Sequence, residues 1–329
     1  MKRLKQEILS LLKKENKTFW GILKELSYSV IEVIEELNEL HKEGLVETAN
    51  DLISLTEKGI SFTEKNHILK AMEWNKEFQE KLLEKFNNSV KNRPFASKEF
   101  DQGFIKPENS VERATIMGKN FDADSKNILI IGDDDLVSIA LALTERTKKI
   151  VVLEADQRLN DFINEFAEEN GFPLKALTWS VEEEIPAEFK KQFDVFLTDP
   201  VETSEGIKLF LGRGINSLKG TGSAFYFGLT SLEAGKIKWH KIQSMLLNSG
   251  FIFTDIIKDQ AFYPIEQFQS YPSGAGKIPK NASEFPIPNA KETYFRSSFF
   301  RCLAVKEIQP LIKGKVELSD KTFFDEEIF

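Results

Sequence analysis

Residues 128–144 read ILIIGDDDLVSIALALT, and this stretch decides the fold class. Four apolar residues predict a buried strand, a glycine allows a tight turn, and the apolar spacing of a helix resumes after three aspartates. A strand, a turn and a helix in this order are typical of nucleotide-binding α/β proteins, whose turn normally carries glycines that approach a phosphate. A triple carboxylate would repel a pyrophosphate instead. The sequence therefore predicts a nucleoside ligand with positive charge rather than a dinucleotide.

From residue 127 onward, stretches with the spacing of strands alternate with stretches with the spacing of helices. This alternation predicts a parallel sheet covered by helices on both faces, which is a doubly wound α/β fold. Ligands of such folds bind beyond the carboxyl ends of the strands. The predicted strands are 127–131, 150–154, 175–179, 193–198, 222–229, 251–257 and 297–305, and the predicted helices lie near 136–146, 157–170, 203–217 and 231–248.

Residues 1–62 predict a small helical unit that ends in a hairpin. Ser29 and Glu32 form a capping box that opens a helix with one apolar stripe. The order of the helices and short extended pieces, followed by LTEKG at 55–59, resembles a winged-helix domain. Winged helices often bind DNA, but this unit carries 9 basic and 11 acidic residues, and four glutamates lie in the would-be recognition helix EVIEELNEL. Since a phosphate backbone would repel them, we favour a dimerisation or scaffolding role.

The composition limits the ligand class and the compartment. The chain has 329 residues, of which 44 are basic and 52 acidic, and its net charge of −8 disfavours nucleic acid and suits small cationic ligands. Cys302 is the single cysteine, which excludes an internal disulfide and fits a reducing compartment. The sequence has no apolar run of about 18 residues and no signal-peptide pattern. We therefore expect a cytoplasmic protein without a membrane segment.

Three groups of acidic residues follow three of the predicted strands. Because the carboxyl ends of parallel strands meet at one edge of a sheet, we expect the groups to converge on one cleft. One aspartate at the start of a helix commonly caps it, and we expect Asp135 to do so. A cap requires only one aspartate, and three adjacent carboxylates repel one another. They therefore indicate a nearby cation or a raised pKa of at least one carboxyl group. The groups are Gly132-Asp133-Asp134-Asp135, then Glu154 and Asp156, then Asp199, Glu202 and Thr203.

Other chemistries have weaker support. His41, His67 and His240 are scattered along the chain and predict neither a catalytic histidine nor a zinc site. The three aspartates could hold Mg²⁺, but no phosphate-binding partner is visible, so we predict no metal. The segment DPVE at 199–202 is similar to the DPPY motif of amino-methyltransferases, but it lacks the aromatic residue that stacks on a flipped base.

These landmarks together resemble the branched-chain polyamine synthases, also called N4-bis(aminopropyl)spermidine synthases. The similarity rests on strand–GDDD–helix, an acidic second strand end, and a third strand that ends in DP-x-E-T. It extends to FDQ at 100–102, to Arg113, to the winged-helix-like N-terminal unit and to the tail FFDEEIF. The chain departs from the usual DPPET or DPPYT at Val201, which leaves the preferred acceptor open.

The resemblance implies that an aminopropyl group is transferred from decarboxylated S-adenosylmethionine to the secondary amine of spermidine. No prosthetic group is then needed, and the acidic cleft would select the decarboxylated donor, because the ordinary methyl donor also bears a carboxylate. Glu154 would hold the ribose hydroxyls with Asp156 beside it, and Gly132 would allow close backbone approach. The remaining assignments are Ser180 or Glu182 near the adenine, and Asp199, Glu202, Thr203, Gln102 and Asp101 around the acceptor.

The amine must lose a proton before its lone pair can attack, and a carboxylate of the GDDD turn is expected to accept it. We favour Asp134 as this base because Asp135 is expected to cap the helix. Asp133 is an open alternative, and all three aspartates are candidate catalytic residues.

The sequence thus predicts a methyltransferase-like doubly wound Rossmann sheet with a small N-terminal winged-helix-like domain. We expect the small domain at 1–65, a connecting helix and substrate-lip segment at 66–121, and the aminopropyltransferase domain at 122–329 with a flexible tail, assembled as a homodimer. Residues 262–296, with five prolines, predict a long functional loop. The alternatives are an amine methyltransferase that uses S-adenosylmethionine, a linear spermidine or spermine synthase, and a polyamine-sensing regulator.

Overall fold

The structure is a computed structural model, and it describes residues 2–100, 102–264, 293–325 and 327. Asp101, most of the predicted loop at 262–296 and part of the FFDEEIF tail lie outside these ranges.

The N-terminal unit packs helices against a small antiparallel sheet. The capping box is confirmed, because the Ser29 side chain accepts from the Glu32 N–H and the Glu32 side chain accepts from the Ser29 N–H. The three strands pair in the order β1-β3-β2. The winged-helix assignment stays a prediction. The elements are α1 (Arg3–Lys14), β1 (Lys17–Thr18), α2 (Phe19–Glu25), α3 (Val30–Lys42), β2 (Val46–Ala49), β3 (Leu52–Leu55) and α4 (Glu57–Lys65).

Two helices connect this unit to the large sheet. The first, α5 (Lys76–Ser89), begins where the Asn75 side chain accepts from the Phe78 N–H. A short 3₁₀ helix (Lys98–Phe100) and an extended segment then lead to α6 (Pro107–Lys119), which starts with proline at its first position. The α6 helix is buried along most of its length, and it carries one side chain that is central to the site.

Seven strands of the described residues form the large sheet, in the order β6-β5-β4-β7-β8-β10-β9. The first five run parallel, whereas β10 is antiparallel to both of its neighbours. The sequence predicted a parallel sheet, and this is wrong for β10. The strands are β4 (Asn127–Ile131), β5 (Lys149–Glu154), β6 (Leu174–Thr178), β7 (Val195–Thr198), β8 (Ala224–Thr230), β9 (Phe251–Phe262) and β10 (Arg296–Ala304).

Helices cover both faces of the sheet, as a doubly wound methyltransferase-like fold requires. Alternate residues of β4 show this, since Ile128 and Ile130 join one apolar cluster while Leu129 and Ile131 join the other. Among the described residues, no helix combines the length and the apolar character needed to cross a bilayer. The helices after β4 are α7 (Val137–Ala142), α8 (Gln157–Asn170), a 3₁₀ turn (Ala187–Phe189), α9 (Ser204–Ser217), α10 (Lys236–Asn248) and α11 (Asp320–Phe323).

A buried cluster of charges joins the N-terminal unit to the sheet. Asp122, which follows α6, lies 2.7 Å from Arg3 Nη1 of α1 and 2.8 Å from Arg301 Nε of β10. The hydroxyl of Tyr226 donates to the same carboxylate at 2.6 Å. Burial alone would raise the pKa of Asp122, but the two guanidiniums lower it to about 2. The cluster is therefore fully paired and fixes α1 against the end of α6.

Candidate active site

The GDDD turn begins at Gly132, whose φ of +70° is the left-handed conformation that glycine adopts without strain. The Asp133 N–H then donates to Glu154 Oε2 at 2.9 Å, which ties the turn to the end of β5. The Asp133 carboxylate accepts from the Ser138 N–H at 3.3 Å and so caps α7. Its burial raises the pKa of Asp133 to about 8. The Asp133 carboxylate is thus bound to the first turn of α7 and is buried from solvent.

The expectation that Asp135 caps the helix is wrong. Leu136, directly before α7, has a left-handed φ of +53°, and the Ser138 N–H in the first turn of the helix is bound by Asp133. Asp135 turns the other way, where it accepts from the Ile105 N–H at 2.8 Å and from Arg113 Nη1 at 2.8 Å. Burial raises the pKa of the Asp135 carboxyl, against the opposing effect of Arg113. Both of its oxygens are occupied.

Asp134 is the half-buried member of the triplet, while its two neighbours are buried. Within the described residues its carboxylate accepts one hydrogen bond, from the Gly103 N–H at 3.0 Å. Burial and the nearby Glu154 raise the pKa of Asp134 to about 6, and the guanidinium of Arg93 opposes this rise. A partly exposed carboxylate with a pKa just below neutrality can accept a proton from a ligand.

The end of β5 provides a second carboxylate. Glu154 is buried, and its two oxygens accept from the N–H groups of Asp133 and Asp156, each at 2.9 Å. Asp156, predicted beside Glu154 on the ribose, caps α8 and binds Arg158 at 2.6 Å. It also accepts from Gln102 Nε2 at 3.1 Å. The contact between Asp156 and Gln102 holds the lip segment against the sheet, and their assignments to the donor and the acceptor stay predictions.

Ser180 and Glu182 follow β6 and are half-buried. The Ser180 hydroxyl lies 3.4 Å from Glu182 Oε2, and the Glu182 carbonyl accepts from Arg213 Nη2 at 2.6 Å. The backbone of this segment is therefore fixed, while its side chains remain partly accessible. Their assignment to the adenine stays a prediction.

The third acidic group lies after β7. Glu202 accepts from the Thr230 N–H at 2.6 Å and from the Thr230 hydroxyl at 2.7 Å, and burial, with the charge of Glu233, raises its pKa to about 8. Thr203, predicted to bind the acceptor, is fully buried. Its oxygen caps α9 and its hydroxyl donates to the Thr322 carbonyl at 2.8 Å. Thr203 thus holds the C-terminal segment against α9, and its assignment to the acceptor stays a prediction.

Arg113 joins the first and third groups. Its Nη1 lies 2.8 Å from Asp135 Oδ2 and 2.6 Å from Asp199 Oδ2, and its side chain has no exposed surface. Arg113 was singled out in the sequence only because the family resemblance extends to it, and no role was predicted for it. A signal was present, because Arg113 lies on the buried stripe of α6 among apolar residues, where an arginine has to be paired.

The three acidic groups therefore converge at one edge of the sheet, as predicted. Hydrogen bonds connect Asp133 with Glu154, and Arg113 connects Asp135 with Asp199. Asp101 lies outside the described residues. Within the described ranges, no set of three or more acidic, histidine or cysteine side chains is arranged to hold a metal ion. The arrangement can bind cations, and at Asp134 it can accept a proton.

Comparisons with known proteins identify the family. Residues 81–328 match the model described as the Branched-chain polyamine synthase A C-terminal domain. The chain is 35% identical to the N(4)-bis(aminopropyl)spermidine synthase of Methanocaldococcus jannaschii over 324 residues, which cover 94% of this chain and 89% of the relative. It is 38% identical to the enzyme of the same name from Thermococcus kodakarensis over 243 residues, or 70% and 68% of the two chains.

A solved structure agrees with these relatives. The crystal structure of the branched-chain polyamine synthase from Thermus thermophilus in complex with N4-aminopropylspermidine and 5'-methylthioadenosine is 26% identical, with a TM-score of 0.66. The match covers 99% of this chain and 92% of that one. With its strand order, its acidic strand ends and these similarities, the chain belongs to the branched-chain polyamine synthase family.

Proposed function

We propose that this protein transfers an aminopropyl group from decarboxylated S-adenosylmethionine to the secondary amine of spermidine. The observation that carries the proposal is the set of carboxylates at three strand ends, of which Asp134 is partly exposed. Both substrates are cations, so this cleft suits them. The names of the relatives, and the ligands of the Thermus thermophilus structure, support the same reaction.

The transfer is a displacement at carbon. The lone pair of the amine forms a bond to the methylene carbon beside the sulfonium, and the carbon–sulfur bond breaks with its electron pair going to sulfur. Methylthioadenosine leaves, and the proton of the amine passes to Asp134. The enzyme contributes by aligning nitrogen, carbon and sulfur and by taking up the proton.

The donor would lie against the ends of β4 and β5. Glu154 would accept hydrogen bonds from the ribose hydroxyls, and Ser180 or Glu182 would contact the adenine. The left-handed Gly132 keeps the backbone turn compact there. A carboxylate on the donor would meet the charges of Asp134 and Asp199, which supports selection of the decarboxylated form.

The acceptor would lie between the GDDD turn and the segment after β7. Asp199 and Glu202 would bind the ammonium groups that flank the reacting nitrogen. The first transfer leaves a tertiary amine, whose lone pair can attack a second donor and give a quaternary nitrogen. The same geometry therefore serves both additions that the name of the relatives implies.

The test is to incubate the protein with spermidine and either donor, and to analyse the products by mass spectrometry with fragmentation. We expect aminopropyl gain at the central nitrogen and release of methylthioadenosine. Aminopropyl gain at a terminal nitrogen would identify a linear synthase, and methyl gain would identify a methyltransferase. Spermidine binding without any product would favour a regulator.

A further inference from the structure

The contacts of Arg113 extend beyond those of a simple ion pair. The guanidinium is fully buried, and one nitrogen, Nη1, serves two carboxylates that belong to different strand ends. Its Nε donates to Gln260 Oε1 of β9 at 3.1 Å, and its plane lies over the Phe299 ring of β10, 4.8 Å from the ring centre. Four partners from separate elements thus fix where the charge lies.

Resting on the proposed function, we infer that Arg113 is a positioning residue for the transfer reaction. It binds the Asp135 carboxylate, which therefore takes no part in proton transfer. It also fixes Asp199 in the orientation that receives the ammonium of the acceptor. Asp134 is then the one carboxylate of the GDDD turn that can take the proton. Arg113 itself is buried and touches neither substrate.

The oxygens of Asp199 support this division. Oδ2 is bound by Arg113, whereas Oδ1 is buried and has no hydrogen-bond partner among the described residues. The Asp199 side chain as a whole is 22% exposed, so it lies at the border of the cleft. A buried carboxylate oxygen without a donor is costly. The ammonium of the acceptor would meet the exposed part of this side chain, while Oδ1 stays buried against Gly228.

Gly228 of β8 makes this orientation possible. A Cβ atom at Gly228 would lie 2.1 Å from Asp199 Oδ1, which is far inside contact distance. The carboxylate therefore occupies the space where any other residue would have its side chain. The φ of Gly228 is not in the left-handed region that favours glycine, so an alanine there would act by displacing Asp199 and not by straining the strand.

The experiment compares Gly228→Ala and Arg113→Lys with the wild type. The Kd for methylthioadenosine and the melting temperature report whether the fold and the donor site are intact. We expect both variants to raise the KM for spermidine about tenfold or more, with the Kd for methylthioadenosine within about twofold of the wild type. Arg113→Lys is also expected to lower kcat, because a lysine has neither the Nε donor that binds Gln260 nor the planar group that lies over Phe299, so its charge would be less firmly placed.

Arg301→Lys is the matched control. It alters another buried arginine, one that pairs with Asp122 away from the cleft, and it is expected to lower the melting temperature and leave the KM for spermidine unchanged. If Arg113→Lys does not fold, Gln260→Leu leaves Arg113 in place and removes its Nε anchor, together with the bonds from Gln260 Nε2 to the Asn109 carbonyl and to Glu112 Oε2. This variant is expected to raise the KM for spermidine severalfold.

An unchanged KM for spermidine in Gly228→Ala would overturn the inference, as would the same KM change in Arg301→Lys. The proposed function fails separately, if the wild type transfers no aminopropyl group. Calorimetry with spermidine then still decides the inference, since equal affinities of the wild type and Gly228→Ala would refute it.

Discussion

Replacing Asp134 by Asn tests the proton transfer directly. Asn has the same shape and can still accept from the Gly103 N–H, but it cannot take up a proton. A general base contributes about 10²- to 10⁴-fold to a rate, and the neighbouring carboxylates cannot substitute, because Asp133 is bound to Ser138 and Asp135 to Ile105 and Arg113. We therefore expect kcat to fall at least about 10²-fold, which corresponds to about 2.7 kcal/mol of barrier.

The assay is steady-state kinetics with both substrates between about pH 5 and 9. Since the pKa of Asp134 is about 6, it is deprotonated above that pH, and kcat/KM of the wild type is expected to fall as the pH drops through this value. The pH profile of the variant should lack this fall at low pH, and its affinity for spermidine should remain close to that of the wild type. Asp161→Asn, on the exposed side of α8, is the matched control and should behave as the wild type.

Near-normal turnover of Asp134→Asn would refute this assignment. A loss confined to Asp133→Asn would transfer the role of base to that residue. If single Asn variants at 133, 134 and 135 all retained near-normal turnover, the GDDD turn would act only through its charge and the mechanism would be wrong.

Three further predictions concern the same cleft. In Glu154→Gln, an amide N–H would face one of the two backbone N–H groups that the carboxylate binds, so the calorimetric Kd for methylthioadenosine is expected to rise about tenfold; an unchanged Kd would remove Glu154 from the donor site. Burial raises the pKa of Glu202 to about 8, so binding of spermidine at pH 7 is expected to release a proton, as seen by calorimetry in buffers of different ionisation enthalpy. Equal proton release by Glu202→Gln would contradict this. Burial raises the pKa of Asp133 to about 8, so the folded state binds the extra proton and stability falls as the pH rises from about 4 to about 8. Asp133→Asn keeps the cap but cannot titrate. Its melting temperature relative to that of the wild type should therefore rise as the pH increases from about 4 to about 8, and a difference that does not change with pH would contradict the raised pKa of Asp133.

The strands could be predicted because burial on both faces leaves continuous apolar runs, as at residues 128–131. Every predicted strand overlaps an observed one. The direction of β10 could not be predicted in this way. Apolar spacing reports that a strand is buried, but not which way it runs between its neighbours.

The convergence of the strand ends could be predicted, whereas the division of roles within the GDDD turn could not, and the expected cap, Asp135, was wrong. Which aspartate caps α7 depends on the left-handed conformation of Leu136, which no propensity of leucine indicates. The pairing of Arg113 with Asp135 and Asp199 depends on how α6 packs across the sheet. The need for a partner was visible in the sequence, whereas the identity of that partner came only with the tertiary structure.

The buried charges around Asp122 limit how far the two parts of this chain can be treated as interchangeable modules. Arg3 belongs to the first helix, yet it pairs with a carboxylate at the foot of α6, the helix that carries Arg113. Removing one partner of a buried pair costs about 3–5 kcal/mol. A shortened chain, or a chimera with a foreign N-terminal unit, would therefore have to supply a cation at that place. The first turn of α1 is thus part of the packing that holds α6 and the large sheet in place.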